Sequence, residues 1–213
     1  MFTGIITAIG EITNVMPLGD TMSGIKLRIH AGELALDDVV LGDSIAIQGA
    51  CMTVMQLTPP YFGVEVSQES LRLTKGLDAP GKVNLEKALR LSDRLGGHLV
   101  SGHIDGLGTV TEFCPMGESY LLKILAPVNL AKYLAYKGSI VVNGVSLTIN
   151  SIRDRSQASK GQEEGCEVSI NLIPHTLNHT TLQSLKVGQQ VNLEIDLIAR
   201  YVERMMTVMP NLQ

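Results

Sequence analysis

The sequence has no tryptophan, and aromatic residues make up only 4% of its 213 residues. Surfaces that bind single-stranded nucleic acid stack bases on aromatic side chains, so this scarcity argues against such a surface. The formal net charge of −4 and a sequence pI of about 5.7 also lack the basic excess that nucleic-acid-binding domains carry. We therefore predict no nucleic-acid partner.

Long apolar runs, a leader-like N-terminus and a cysteine framework are also missing. No run of about 18 apolar residues occurs, which predicts no membrane-spanning helix. The segment 1–6 has neither the basic region nor the continuous apolar stretch of a signal peptide. Cys51, Cys114 and Cys166 form neither a CxxC pair nor a disulfide framework. These absences predict a chain that works in the reducing cytoplasm.

Three motifs for metals or nucleotides are incomplete. The segment Gly76–Lys82 matches most of a phosphate-binding loop, but Val83 replaces the Ser or Thr that holds magnesium. The segment Gly106–Gly108 lacks the third glycine of a dinucleotide fingerprint. His98 and His103 have no cysteine or carboxylate at the spacing of a zinc site. The sequence therefore predicts no metal and no added cofactor.

The chain repeats itself. The block 42–54 aligns with 138–149 across a one-residue gap, which pairs Ser44 with Ser139, Gly49 with Gly144, Cys51 with Ser146 and Thr53 with Thr148. Further blocks recur in the same order: 3–6 as 101–104, 69–71 as 175–177, and 83–86 as 191–194. Collinear repeats of this kind indicate a duplicated domain. We place the two copies at 1–97 and 98–197.

Short segments rich in Val, Ile and Leu alternate with turn residues through the first copy. Such a pattern predicts an antiparallel sandwich or barrel, and closing each copy into a barrel would remove its exposed edges. The predicted strands are Gly24–His30, Ser44–Gln48, Met52–Leu57, Gly63–Ser67 and Lys82–Glu86. The polar segment 153–166 is predicted to be an exposed hairpin loop.

Two segments have the spacing of a helix. Val128–Ala135 fits a short helix, and the region 198–213 fits a longer one. In the second, one face is apolar and the other is charged; the apolar face carries Ile198, Tyr201, Val202, Met205, Met206 and Met209, and the opposite face Arg200, Glu203 and Arg204. This helix either packs on its own barrel or forms an oligomer contact.

A polar group, Gly-x-Cys/Ser-x-Thr, occurs once in each copy. By itself such a group often reflects strand-end and turn chemistry. Because it is duplicated, we favour a second interpretation, in which hydroxyls and backbone amides bind a neutral ligand rich in heteroatoms, such as a pterin or a polyol chain.

Six motifs, taken in order, resemble the riboflavin synthase family of two-barrel lumazine-binding proteins. Each motif alone is modest, but the ordered set is specific and runs from Met1 to the terminal helix. The motifs are Met1–Ile5, Gly49–Val54, Gly96–His103, Lys137-Gly138, Asn143–Thr148 and Ile173–Leu177.

This resemblance implies an all-β fold of two tandem six-stranded Greek-key barrels and a C-terminal trimerisation helix over 198–213. It implies a homotrimer, one lumazine per barrel, and a catalytic site between the N-terminal barrel of one subunit and the C-terminal barrel of its neighbour. The implied reaction, the last step of riboflavin biosynthesis, transfers a four-carbon unit between two 6,7-dimethyl-8-ribityllumazines. Its products are riboflavin and 5-amino-6-(D-ribitylamino)uracil. An association with lumazine synthase is left open.

The resemblance also implies residue roles. His103 and Ser146 would handle protons and activate water, supported by Lys137, Asn143, Cys51 and Thr148; by itself, His103 would be taken for a capped strand-end histidine. The substrate-binding residues would be Thr3, Gly4, Ile5, Ile6, Ser44, Cys51, Met52, Thr53, Glu65, Val66, Ser67, Gln68, Glu69, Ser70, Gly102, His103, Ile104, Lys137, Ser146, Leu147, Thr148, Asn171, Leu172, Ile173, Pro174, His175 and Thr176.

Two departures and two alternatives accompany this prediction. Asn143 stands where many relatives carry Asp. The second copy has Ser146 at the position that Cys51 occupies in the first copy, so the two copies are not equivalent. The first alternative is a non-catalytic lumazine- or flavin-binding antenna protein of the same fold. The second, a flavin reductase barrel, would need an Arg-x-Tyr-Ser/Thr motif and a nicotinamide domain, and the sequence has neither.

Overall fold

The computed structural model describes residues 1–19, 24–155 and 164–208. The first half forms a closed barrel of six antiparallel strands and one short helix. These elements are β1 (Ala8–Pro17), β2 (Ile25–His30), β3 (Ser44–Ile47), β4 (Ala50–Thr58), β5 (Tyr61–Val66), α1 (Gln68–Leu73) and β6 (Gly81–Lys87).

The second half repeats this barrel and ends in a helix. Its elements are β7 (Gly106–Met116), β8 (Ser119–Ala126), a 3₁₀ helix (Val128–Tyr133), β9 (Ser139–Val142), β10 (Val145–Arg155), β11 (Gly165–Leu172), α2 (Pro174–Asn178), a second 3₁₀ helix (Thr181–Ser184), β12 (Gln190–Ile195) and α3 (Leu197–Val208). None of the helices in the described part of the chain is long and apolar enough to cross a bilayer.

Both barrels have the same Greek-key topology. The first runs β1-β2-β5-β4-β3-β6 around the barrel, and the second runs β7-β8-β11-β10-β9-β12. In each copy the register shifts at matching places, between the first two strands and between the fourth and fifth. Such bulges bend strands and increase their twist, which suits closure of a small barrel. The predicted fold class and duplication are confirmed.

Alternation along the strands fills two separate hydrophobic cores. In β4, Met52 and Val54 point into the first barrel, whereas Cys51 and Thr53 point outward. The same alternation in β10 buries Leu147 and Ile149 in the second core and leaves Ser146 and Thr148 facing out. The repeated polar group therefore lies on the outer face of each barrel.

The predicted strands match β2 to β6, with ends shifted by a few residues. The predicted helix over Val128–Ala135 is the 3₁₀ helix Val128–Tyr133. The helices α1 and α2 were not predicted, because six and five residues are too few to give a periodic pattern. In the segment 153–166, Arg155 pairs with Gly165; residues 156–163 lie outside the described part of the chain. The domain boundary near 97 falls between β6 and β7 and stays a prediction.

The polar face of α3 is attached to its own barrel, while the apolar face is uncovered. Arg200 donates to Asp105 at 2.6 Å, and Lys132 donates to Glu203 at 2.6 Å. On the other face the exposed fractions are 65% for Ile198, 62% for Tyr201 and 68% for Met206. Of the predicted apolar face, Met209 lies outside the described residues.

Candidate functional site

The two barrels meet around a pair of leading segments, 1–6 and 98–104, which run antiparallel. Phe2 donates to the Val100 carbonyl at 2.7 Å and accepts from the Val100 N–H at 3.0 Å. Phe2 and Val100 are buried together with Ala46 and Val141, one residue from each barrel wall. Phe2 and Val100 make the same backbone hydrogen bonds to each other, so the two copies are related by an approximate two-fold axis at this contact.

A buried glutamate holds each leading segment. Glu86 accepts from the Thr3 N–H at 2.7 Å, the Thr3 hydroxyl at 2.6 Å and the Gly4 N–H at 2.9 Å. Glu194 accepts from the Ser101 N–H, the Ser101 hydroxyl and the Gly102 N–H at 2.7, 2.7 and 3.0 Å. Burial raises the pKa of both carboxyls above the ordinary value, and these hydrogen bonds oppose the rise.

Each leading segment then reaches across to the other barrel. The Gly4 carbonyl accepts from the Ser146 N–H at 2.8 Å, and the Gly102 carbonyl accepts from the Cys51 N–H at 2.8 Å. Both glycines have positive φ, and a Cβ on either would lie 2.6 Å from the Cβ of Ser146 or Cys51. Only glycine fits both the conformation and the space.

Two asparagines lock the same interface. Asn84 donates to the Asn143 carbonyl at 2.8 Å, and Asn192 donates to the Gln48 carbonyl at 2.9 Å. Their side-chain oxygens accept from the N–H groups of Thr181 and Lys75, both at 2.7 Å. These asparagines and both glutamates come from the repeated block 83–86 and 191–194. Sequence reasoning recognised the repeat but assigned it no role; the polar residues interrupting an apolar strand were the available signal.

As a result, two candidate sites are each built from both copies. Ile104 packs on the core of the first barrel and Ile6 on that of the second. The segment Gly102–Ile104 borders Cys51. We name this segment, together with Cys51 and Thr53, the N-site. The segment Gly4–Ile6 borders Ser146. We name this segment, together with Ser146 and Thr148, the C-site.

The remaining predicted residues divide between these sites. Ser44 pairs with Thr53 beside the N-site, and Ser139 pairs with Thr148 beside the C-site. The predicted substrate-binding segments 65–70 and 171–176 begin in β5 and β11 and continue past the ends of these strands. Their exposed or half-exposed residues are Glu65, Ser67, Gln68, Glu69 and Ser70 for the N-site and Asn171, Ile173, Pro174, His175 and Thr176 for the C-site.

Some predicted residues are turned away from open surface. The side chains of Met52, Val66, Leu147 and Leu172 lie inside the barrels, so only their main chain could meet a ligand. Thr3 is 7% exposed and is bonded to Glu86. The side chains of these residues therefore hold the backbone of the site in place and do not line its surface.

Lys137 and Asn143 both have positive φ and both lie in turns. Lys137 is exposed and its ammonium group donates to Asn150 at 3.1 Å. Asn143 is 5% exposed, and its side-chain oxygen accepts from the Asn192 N–H at 2.8 Å. The side-chain oxygen of Asn143 is thus bonded within the second barrel, and its backbone carbonyl accepts from Asn84 of the first barrel, whereas Lys137 remains accessible from solvent.

His103 and Ser146, the pair predicted to act together, lie in different sites of one chain. His103 is exposed and follows Gly102 at the N-site. Ser146, at the C-site, instead contacts His98, whose Nδ1 lies 2.8 Å from the Ser146 hydroxyl oxygen. Sequence reasoning placed His98 in the Gly96–His103 motif and weighed it as a zinc ligand, but gave it no role beside Ser146, which lies 48 positions away.

Two surface clefts overlap the predicted residues only in part. One of about 600 Å³ is lined by Ser44 together with Thr7, Asp43 and Lys87 among others. A groove of about 850 Å³ is lined by Gln48, Lys75, Lys82 and Asn143 among others, but includes neither Cys51 nor Ser146. Across the described ranges 1–19, 24–155 and 164–208, no three His, Cys, Asp or Glu side chains converge as metal ligands would.

The lumazine binding domain family matches this chain twice, over residues 3–88 and 101–196. These ranges contain both barrels and both sites. The chain belongs to the lumazine binding domain family. Within it, the riboflavin synthase of Photobacterium leiognathi is 39% identical over 98% of this chain and 90% of its own length.

Two further relatives are also riboflavin synthases. The riboflavin synthase of Mycobacterium tuberculosis strain H37Rv is 41% identical over 97% of this chain and 98% of its own. That of Bacillus subtilis is 38% identical over 96% and 89%. Among solved structures, LumP complexed with riboflavin has a TM-score of 0.76, covers 92% of this chain and 99% of its own, and is 24% identical. That likeness concerns the fold.

Proposed function

We propose that this chain is a riboflavin synthase, a transferase that converts two 6,7-dimethyl-8-ribityllumazines into riboflavin and 5-amino-6-(D-ribitylamino)uracil. The observation that carries the proposal is the duplicated site. Relatives about 40% identical over nearly the whole chain are riboflavin synthases, and a reaction between two copies of one substrate needs two sites of one design. We assign the lumazine-binding domains to 1–97 and 98–197.

Proximity accounts for much of the catalysis in this proposal. The 7-methyl group of a lumazine is acidic because its carbanion delocalises into the ring. One molecule loses a proton there, and the other accepts a nucleophile at C7 and donates the four-carbon unit. Holding two such rings in register can contribute about 7–11 kcal/mol.

The proposed residue roles follow the two sites. At the N-site, Cys51 and Thr53 line the ring and His103 handles a proton. At the C-site, Ser146 and Thr148 face the second ring, and the accessible Lys137 lies nearby. Asn143 is proposed to hold the barrel interface, because its backbone carbonyl accepts from Asn84 of the first barrel and its side-chain oxygen is bonded to the Asn192 N–H.

A homotrimer would bring the two kinds of site together. The uncovered apolar face of α3 is the supporting observation, since the polar face is already fixed by Arg200 and Glu203. Packing this face against two other copies would bury Ile198, Tyr201 and Met205 and would set the N-site of one subunit against the C-site of the next. His103 and Ser146 would then act on one pair of substrates. We place the enzyme in the cytoplasm and leave association with lumazine synthase as a separate prediction.

The decisive experiment mixes the purified chain with 6,7-dimethyl-8-ribityllumazine, with no added cofactor, and follows riboflavin absorbance. We expect one riboflavin for every two lumazines consumed. Tight binding of the lumazine without turnover would contradict the proposal and would identify an antenna protein of the same fold. Heat-denatured chain is the control for the slow uncatalysed reaction.

A further inference from the structure

The C-site contains a contact that the N-site lacks. His98 Nδ1 lies 2.8 Å from the Ser146 hydroxyl oxygen, and the His98 N–H donates to the Thr3 carbonyl at 3.2 Å. The preceding Gly97 has no room for a side chain, because a Cβ there would lie 2.1 Å from the Thr3 carbonyl oxygen and 2.9 Å from the Ser146 hydroxyl. The segment is therefore fitted closely around Ser146.

The equivalent residue of the N-site has no such partner. Cys51 aligns with Ser146 and makes the matching backbone bond to Gly102, but its sulfur has no hydrogen bond within the residues that the structure describes. The duplicated scaffold thus supports a bonded hydroxyl in one site and a free thiol in the other.

The surroundings of His98 disfavour a second proton on its ring. The other ring nitrogen, Nε2, is buried and has no hydrogen-bond partner among the described residues. A second proton would place an unpaired charged N–H in this position. Burial accordingly lowers the pKa of His98, and the charge of Asp196 opposes that shift.

The neutral ring can bond Ser146 in two ways. If Nδ1 accepted the hydroxyl proton, Nε2 would carry a buried N–H with no acceptor, which proteins rarely tolerate. If Nδ1 carries the proton and donates it to Ser146, only a lone pair on Nε2 is unpaired. The second tautomer leaves the Ser146 hydroxyl proton free to point at a ligand.

We propose that His98 is a positioning residue that fixes the Ser146 hydroxyl as a hydrogen-bond donor toward the ring bound in the C-site. This inference rests on the proposed function and gives the two sites unequal work. When a lumazine loses its methyl proton, negative charge spreads to the ring heteroatoms. A hydroxyl oriented in advance stabilises that charge, and the bond from His98 strengthens the hydroxyl as a donor.

A double-mutant cycle tests whether His98 acts through Ser146. We expect His98→Ala to lower kcat about 10- to 100-fold, the scale of a misplaced catalytic group, with KM changed less than about threefold. In a Ser146→Ala background the same substitution should cause no further loss. Independent, multiplying losses from the two substitutions would overturn the proposal, and so would an unchanged kcat in His98→Ala.

Conservative variants separate positioning from packing. The amide nitrogen of His98→Asn can occupy the position of Nδ1, so this variant should recover most of kcat, whereas His98→Gln places its amide near Nε2 and should not. Equal activity of the two would contradict the inference. His30→Ala is the matched control, because His30 Nδ1 accepts from the Gly32 N–H at 3.1 Å in the other barrel, and it should leave kcat unchanged.

A spectroscopic measurement keeps this inference separate from the proposed function. Nitrogen NMR of 15N-histidine-labelled protein should show a neutral His98 ring with its proton on Nδ1, and Ser146→Ala should shift that resonance. If the wild-type chain made no riboflavin while these signals were present, the proposed function would fail and the His98–Ser146 contact would stand. A proton on Nε2 would refute the tautomer and the role derived from it.

Discussion

The two barrels share their scaffold and differ in their sites. Each uses a buried glutamate to hold a leading segment, an asparagine to lock the interface, and a glycine to pass the chain across to the other copy. At its glycine, one leading segment is hydrogen-bonded to Cys51 and the other to Ser146. The Ser146 hydroxyl also contacts His98. Duplication thus preserved the parts that fix geometry, while the groups that would face the ligand diverged.

The largest expected effect comes from separating the sites of neighbouring subunits. Ending the chain before Ile198 should give monomers in sedimentation and lower turnover about 1,000-fold or more, because the two substrates lose their shared enclosure. Each barrel should still bind lumazine.

A full-length control keeps the helix and changes only its apolar face. Met205→Glu introduces a charge where the side chain is 52% exposed in the single chain, so the fold should survive and the trimer should not. A truncated chain that still sediments as a trimer would refute the role given to α3.

The next effect tests whether the N-site contributes a proton-transfer group. His103→Ala should lower kcat about 100-fold, the lower range for general acid–base catalysis, and leave lumazine affinity within about tenfold. Since His103 is exposed, the substitution should not change thermal stability. Stopped-flow turnover and fluorescence binding measure the two quantities. Unchanged turnover would remove His103 from the mechanism and leave the C-site with the proton chemistry.

A third effect compares the two crossing glycines. Gly4→Ala and Gly102→Ala should each lower the free energy of unfolding by about 2 kcal/mol or more. The energetic cost of a positive φ at alanine and the cost of the close Cβ contact should add. Lumazine binding should weaken mainly at the site that the altered segment borders. Urea unfolding and titration measure these changes.

The control for backbone strain alone is Gly117→Ala. Gly117 also has positive φ, but nothing lies within 4 Å of a Cβ at that position. If Gly4→Ala and Gly117→Ala destabilised the protein equally, the close approach to Ser146 would carry no energetic weight.

The sequence predicted what depends on local pattern. The repeat correctly gave Cys51 and Thr53 the same places in one barrel as Ser146 and Thr148 in the other, and helical spacing separated the two faces of α3 correctly. Contacts between residues far apart in the chain could not be predicted from the sequence. His98 reaches Ser146 only because the two leading segments cross, and the Asn143 carbonyl meets Asn84 only because the two barrels pack together. Neither fact leaves a trace in spacing or composition.

The smallest expected effect is the pH dependence of stability that each buried glutamate contributes. Burial raises the folded-state pKa of Glu86 and Glu194, so each carboxyl favours folding below the unfolded pKa, and that contribution is lost as pH rises through the folded pKa. Glutamine cannot ionise. Relative to wild type, Glu86→Gln and Glu194→Gln should therefore gain stability as pH rises from about 4 to 8, on the order of 1 kcal/mol, comparable with one net hydrogen bond.

The slope of that gain should be steeper for Glu194→Gln. Asp105 adds to the rise in the pKa of Glu194, whereas the N-terminal ammonium group lowers that of Glu86. Urea unfolding across the pH range, subtracted from wild type, cancels the contributions of surface carboxylates common to both proteins. A loss of relative stability with rising pH would mean that the hydrogen bonds from Thr3 and Ser101 outweigh burial, and the glutamates would then hold the leading segments as fully ionised groups.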